Sequence, residues 1–140
     1  MSSLSSNQYQ QLINNISDCL VSGQQSAVQQ VNRALVETYW NIGRYIVEFE
    51  QQGKEKAEYG SQLLARLSKD LKQIHGKGFS RSNLQYMRLL YLAYPIYQTL
   101  SGKLSWSHHT ELLAISDDLA RSFYEQQCIK ENWSVRELKR

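Results

Sequence analysis

The stretch GSQLLARLSKDLKQIHGKGFSRSNLQYMRLLYLAY, residues 60–94, decides how this chain is read. Leu63, Leu64, Leu67, Leu71 and Ile74 recur at three- and four-residue steps, which predicts a helix with one apolar face. His75-Gly76-Lys77-Gly78 follows, and glycine takes the left-handed backbone that closes a helix. Ser80 then offers a side-chain cap, with Phe79 and Leu84 around it at the spacing of a hydrophobic staple. A second helix is therefore predicted from Ser80 and is ended or bent by Pro95. Leu84, Met87, Tyr91 and Tyr94 form its inward flank. Arg81, Ser82, Gln85 and Arg88 form an outward face, with Asn83 and Tyr86 at the margins.

Charge gives this helical pair a chemical meaning. It holds six of the sixteen Lys/Arg (Arg66, Lys69, Lys72, Lys77, Arg81, Arg88) and a single acid, Asp70, of thirteen. The segment carries +5 in a chain of +3, so everything else sums to −2. Cations gathered on one element are the footprint of a polyanion-binding surface. Arginine presents two parallel donors to a guanine edge or a phosphate, and Asn and Gln suit adenine. The free amides of a helix N-terminus favour phosphate. This is the layout of a helix-turn-helix, whose second helix enters the major groove by its first turns. The candidate nucleic-acid-binding set is Lys72, His75, Lys77, Ser80, Arg81, Ser82, Asn83, Gln85 and Arg88. A plain solvated hairpin and a surface for an acidic protein partner are the competing accounts of the same residues.

Away from this pair the chain is also helical in pattern. One proline and seven glycines leave few breaks, and no period-2 alternation stands out. An all-α fold of about six helices is expected, in a single domain over residues 1–140. Residues 1–6 read as a loose leader. Ser5 with Gln8 can cap a first helix reaching about Val21. Ser22-Gly-Gln-Gln25 fits a capping box for a long helix over 23–52 that stops at Gly53. Val28, Val31, Leu35, Tyr39, Ile42, Ile46 and Phe49 form one flank of it, and Val36, Trp40 and Val47 a second. One flank can face the domain while the other pairs subunits, so a homodimer through helix 23–52 is expected. Residues 54–59 form a polar junction. Ser107 and Ser116 are expected to cap two further helices. Ser134-Val-Arg-Glu137 is a capping box that starts a helix within 132–140, expected to run on towards a further domain.

Trp106-Ser107-His108-His109 is a second candidate, because an aromatic beside histidine can stack on a base or meet a phosphate. Trp106 and His108 join the set on that ground, with Tyr86. The competing account is a helix start with Trp106 buried and both histidines partly exposed. Adjacent histidines point to different sides of a helix, and no Cys or carboxylate stands four residues after His108, so no metal is expected. Asp70-Leu-Lys72 and Glu137-Leu-Lys139 match the Asp/Glu-x-Lys tripeptide of metal-dependent nucleases, but both fall on predicted helices rather than strands. No phosphate loop or nucleophilic triad emerges, and this segment is expected to have no catalytic activity and no cofactor. Cys19 and Cys128 lack metal or redox spacing, which suggests reduced thiols and a cytoplasmic setting. With 41% hydrophobic and 21% charged residues the composition is that of a soluble globular chain. No apolar run approaches the ~20 residues a membrane span needs.

The runs ALVETYWNIGRYIVEFEQQG (34–53), YGSQLLARLSKDL (59–71), GFSRSNLQYMRLLY (78–91), LSWSHHTELL (104–113) and NWSVRELKR (132–140) carry a wider likeness. Together they resemble the N-terminal domain of the YhcG-type family of bacterial proteins, in the same order and over nearly everything from about residue 10. Arg81, Asn83, Leu84, Met87 and Arg88 match one block, and Trp106 to His108 another. The resemblance implies a helical, helix-turn-helix-like domain, followed in that family by a separate nuclease domain of the PD-(D/E)xK type that this chain lacks. It also implies a link to DNA cleavage and to restriction or mobile-element defence. It brings no established catalytic residues to these positions. The combined expectation is a non-catalytic module that binds duplex or branched DNA and dimerises, RNA remaining open. The alternative is an assembly module without nucleic-acid contact.

Overall fold

A computed structural model describes residues 6–51 and 62–140 of the chain. Among these it has six α-helices and no strand. They are α1 (Ser6–Glu50), α2 (Leu63–His75), α3 (Arg81–Ala93), α4 (Trp106–Leu113), α5 (Asp118–Glu131) and α6 (Val135–Lys139), with a 3-10 turn at Tyr97–Thr99. The fold is all-α, as the apolar spacing predicts. No described helix is long and apolar enough to cross a membrane. Ser6, expected to be the last residue of the leader, already belongs to α1, while residues 1–5, the expected stop at Gly53 and the junction at 54–59 lie outside the described residues.

The N-terminal region departs from expectation. Two helices divided at Ser22-Gly23 are replaced by one continuous helix of 45 residues. Gly23 has nothing within 4 Å, so no packing forces a break there. A lone interior glycine costs only ~1 kcal/mol against alanine, which an otherwise continuous helix absorbs.

The C-terminal part of α1 lies across α3 and buries Val36, Trp40, Gly43, Ile46 and Val47. Val36 and Trp40 cluster with Leu90 and Leu113, while Ile46 clusters with Leu63, Leu84 and Met87. The indole N–H of Trp40 donates to the Tyr94 carbonyl at 2.7 Å, satisfying the ring's one polar atom. Trp40 and Val47 belong to the second of the two flanks, either of which could have met a partner. They sit instead in this chain's own core, so helix 23–52 does not offer that flank to a second copy. Val28, Val31 and Leu35 remain exposed. Gly43 is what allows the crossing: a Cβ there would stand 2.0 Å from the Met87 carbonyl oxygen.

The turn chemistry is as predicted at α3. Gly76 and Gly78 take φ of 80° and 102°, which suit glycine and little else. Ser80 caps α3 by accepting from the Asn83 backbone N–H at 3.1 Å. Phe79 and Leu84 share one cluster, which is the staple. The next two caps move. Ser105, not Ser107, caps α4, and Asp117, not Ser116, caps α5. Asp117 accepts from the N–H groups of Leu119 and Ala120 at 2.9 and 3.4 Å. Ser134 and Glu137 form their predicted capping box at 3.2 and 3.1 Å.

A third cluster, Leu104, Leu112 and Cys128, ties α4 to α5. His109 sits beside it, fully buried, with no hydrogen-bond partner for either ring nitrogen and Tyr94 edge-on at 6.1 Å. The partial exposure expected for it is not found. Burial first, and the neighbouring His108 second, push its pKa down to about 4. Tyr94 donates its hydroxyl to the buried Glu125 at 2.5 Å, and burial followed by that carboxylate raises the phenol well above its ordinary value.

Two outcomes follow. Gly43→Ala must part α1 from α3 because the obstacle is backbone, and overpacking of this kind costs about 1–3 kcal/mol. Its melting temperature should fall despite alanine's better helix propensity, and an unchanged one would refute the crossing geometry. For His109, the unfolded imidazole gains its proton near 6.5 while the folded one resists until about 4. Stability is therefore full above pH 6.5 and declines as pH falls towards 4, by at most ~3 kcal/mol. Denaturant titrations across that window should show a shallower decline for His109→Phe than for the native chain.

Candidate nucleic-acid interface

The basic pair is α2, a turn over residues 76–80 and α3. Leu63, Leu67 and Leu71 join the cluster of Ile46, Leu84 and Met87, so α2 packs on α3 and the end of α1 and leaves its opposite side to solvent. Lys69, Lys72 and Lys77 are exposed there, and Arg81 is exposed in the first turn of α3. These four cations follow one another along the last turns of α2, the turn and the start of α3. His75 is also exposed but leans towards Phe79, with ring centroids 5.8 Å apart. It lines an apolar groove between α1 and α2 together with Ile42, Phe49, Leu67 and Asp70. His75 thus faces a different hollow from the one that Arg81 and Arg88 line.

Arg81, Ser82, Gln85 and Arg88 do share one surface. They line a cleft of about 870 Å³ whose other walls are Glu50 from the end of α1, Leu63 and Leu64 from α2, and Leu113 and Ala114 beyond them. Gln85 is half-buried and Ser82 exposed. Arg88 differs from the expectation of an outward contact. Its Nε donates to Glu50 Oε1 at 2.6 Å, with the two side chains only 28% and 21% exposed. That charge-assisted bond clamps the end of α1 to the middle of α3 and offsets one of the cleft's two positive charges.

Asn83 is also committed elsewhere. Its Nδ2 donates to the Gly78 carbonyl at 2.6 Å, and its Oδ1 accepts from the Trp106 indole N–H at 3.0 Å. Both ends of the amide are used in bracing the turn, so no adenine-reading edge is left. Ser80 is used as the cap. Tyr86 packs against the Val36–Trp40 cluster, although it borders the cleft. Trp106 stands edge-on to Tyr39 at 4.7 Å and is half-buried, which suits packing rather than stacking on a base. His108 accepts from the Ser105 backbone N–H at 3.2 Å through Nδ1, and its Nε2 meets the Trp133 carbonyl at 2.8 Å. A carbonyl only accepts, so Nε2 carries a proton. His108 fills the place that Glu or Gln takes in a capping box.

Two residues outside the predicted set matter here. Glu50 was not singled out, since its partner lies 38 positions away and only the crossing of α1 over α3 joins them. His109 likewise shows no local sign of complete burial. Among the described residues no group of three or more His, Cys, Asp or Glu side chains could hold a metal ion. Asp70 lies on α2 and Glu137 on α6, so neither Asp/Glu-x-Lys tripeptide sits on a strand. Of the predicted set, Lys72, Lys77, Arg81, Ser82 and Gln85 are exposed or half-buried: three cations, a hydroxyl and a side-chain amide.

The chain is 38% identical over 164 aligned positions to an Escherichia coli (strain K12) protein named "Putative nuclease YhcG". The match covers 94% of this chain and 44% of that protein, so the chain spans less than half the length of its relative. No solved structure matches. The family model described as the DUF1016 N-terminal domain matches residues 15–140, and the chain belongs to that family.

Proposed function

We propose that this chain is a nucleic-acid-binding module that positions a nuclease activity located elsewhere in a longer protein, and that it does not itself cut. The observation that carries this is the file of exposed cations Lys69, Lys72, Lys77 and Arg81, which ends on the capped first turn of α3. Cations beside a helix N-terminus suit phosphodiester oxygens. The relative's name supports nucleic acid as the polyanion. With Asn83, Trp106 and His108 engaged inside the fold, the available groups suit the backbone more than base edges. Such contacts fix register and affinity without reading sequence. DNA, duplex or branched, is the ligand of choice over RNA. The helix-turn-helix likeness resides in the α2–turn–α3 order and in the cap. Single-domain organisation over 1–140, a cytoplasmic setting and a role in restriction or mobile-element defence belong to the same proposal. Pairing of two chains through α1 would set two basic faces side by side for a longer stretch of duplex.

The test is a salt-dependent titration against duplex, single-stranded and branched DNA. Arg81→Gln and Lys77→Gln should each weaken binding to every sequence and lower the slope of log K against log salt by about one. Unchanged slopes in both would remove this face. Incubation of the purified chain with DNA and Mg²⁺ should leave the DNA intact. Cleavage abolished by Asp70→Asn or Glu137→Gln would overturn the non-catalytic assignment.

A further inference from the structure

The N-terminal part of α1 is the least explained feature of the molecule. Residues 6–31 are exposed throughout, so more than half of a 45-residue helix is buried by none of the other described elements. Its composition does not support a free helix, since Asn14, Asn15, Ser17, Ser22 and Gly23 are all weak helix formers. The side-chain bonds from Gln10 to Asn14 and from Gln11 to Asn15 contribute ~0.2–0.5 kcal/mol each, far too little to hold such a length. Helices of this kind persist by packing an apolar face. That face is present. At 100° per residue Tyr9, Ile13, Ile16, Leu20, Val31 and Leu35 fall within an arc of about 100°. Tyr9, Leu20 and Val31 are 63%, 62% and 68% exposed. Gln11, Asn15, Asp18, Ser22, Gln25 and Gln29 occupy the opposite side.

Three observations identify the occupant. First, Ile42, Tyr45 and Phe49 continue the same arc and form one wall of the apolar groove between α1 and α2, a hollow of about 630 Å³ closed on its other side by Leu67 and Leu71. An exposed convex helix and a concave groove between described residues therefore lie on one line along α1. Second, residues 6–35 contain only two charges, Asp18 and Arg33. The stripe itself has none, so it neither repels its own kind nor selects a charged partner. Third, α1 is about 67 Å long and ~10–12 Å across, so pairing along its length covers roughly 700–800 Å² per copy, the area of a stable interface.

We propose that a second copy of this chain covers the stripe in an antiparallel two-fold pair, with the N-terminal half of each α1 seated in the α1–α2 groove of the other. Parallel pairing would set groove against groove and helix against helix, filling neither hollow. The antiparallel arrangement fills both, and its isologous symmetry closes the assembly at two. Residue 29 falls near the two-fold axis, so Ile13 lies opposite Tyr45 of the second copy. The proposal rests on the pairing part of the function above and not on nucleic-acid binding.

Sedimentation of the full chain should show a dimer. Leu20→Asp combined with Val31→Asp should weaken self-association by roughly 100-fold or more. The near-ultraviolet signal of Trp40 and Trp106 should persist, because the α1–α3 core is untouched. In a Cys19→Ser background, Ile13→Cys with Tyr45→Cys in one chain should give covalent dimers with a short bis-maleimide, while Ile13→Cys alone should not. A monomer at high micromolar concentration overturns the proposal, as does a dimer indifferent to the two aspartates. Ile13→Cys linking efficiently to itself, without a link to Tyr45→Cys, overturns the antiparallel direction. A dimer that binds no DNA would sink the functional reading alone, and a monomer that binds DNA would sink this one alone.

Discussion

The backbone contact between Gly43 on α1 and Met87 on α3 is the constraint that the rest of the molecule obeys. It brings two helices to a distance that any side chain at position 43 would forbid. Leu84, Met87 and Leu90 are then fully buried, each contributing about 1.5–3 kcal/mol of apolar transfer. Two polar bonds guard the ends of the crossing. Trp40 reaches Tyr94 at one end, and Arg88 reaches Glu50 at the other. Neither polar pair could form if the axes stood further apart.

The same constraint aims the basic face. With one side of α3 sealed against α1, its first turn has Arg81 and Ser82 left outside. The turn before it is braced by Asn83, which joins Gly78 to Trp106 and so couples α3 to α4. The rigidity of that turn comes from side chains that look, in isolation, like ligands for a base. What faces outward is charge more than hydrogen-bond pattern.

Local chemistry was legible in the amino-acid sequence, and distant pairing was not. Apolar steps of three and four located α2 and α3, and Ser80 with Phe79 and Leu84 marked the start of α3 to the residue. Ser134 and Glu137 did the same for α6. These signals work because both partners lie within one helical turn. Gly23 misled because a glycine marks a break only where the following backbone has somewhere better to go. Ser107 misled because Ser105, two residues earlier, gains a second bond from His108, a residue seldom found closing a capping box. Arg88 and Glu50, Asn83 and Trp106, and the burial of His109 all depend on helices far apart in the chain. No window of sequence contains both members of those pairs. Lys72 and Lys77 stay exposed while Asn83 is drawn into the turn, because lysine resists burial and asparagine readily serves the backbone.

The unsupported length of α1 also has a mechanical side. From Val36, the first buried residue of α1, to Ser6 the helix projects about 45 Å, so a tilt of about 5° at its root displaces the tip by about 4 Å. Whatever grips the tip thereby sets the angular attitude of the whole globular end with fine leverage. Conversely, a small push on the globular end is magnified where α1 terminates.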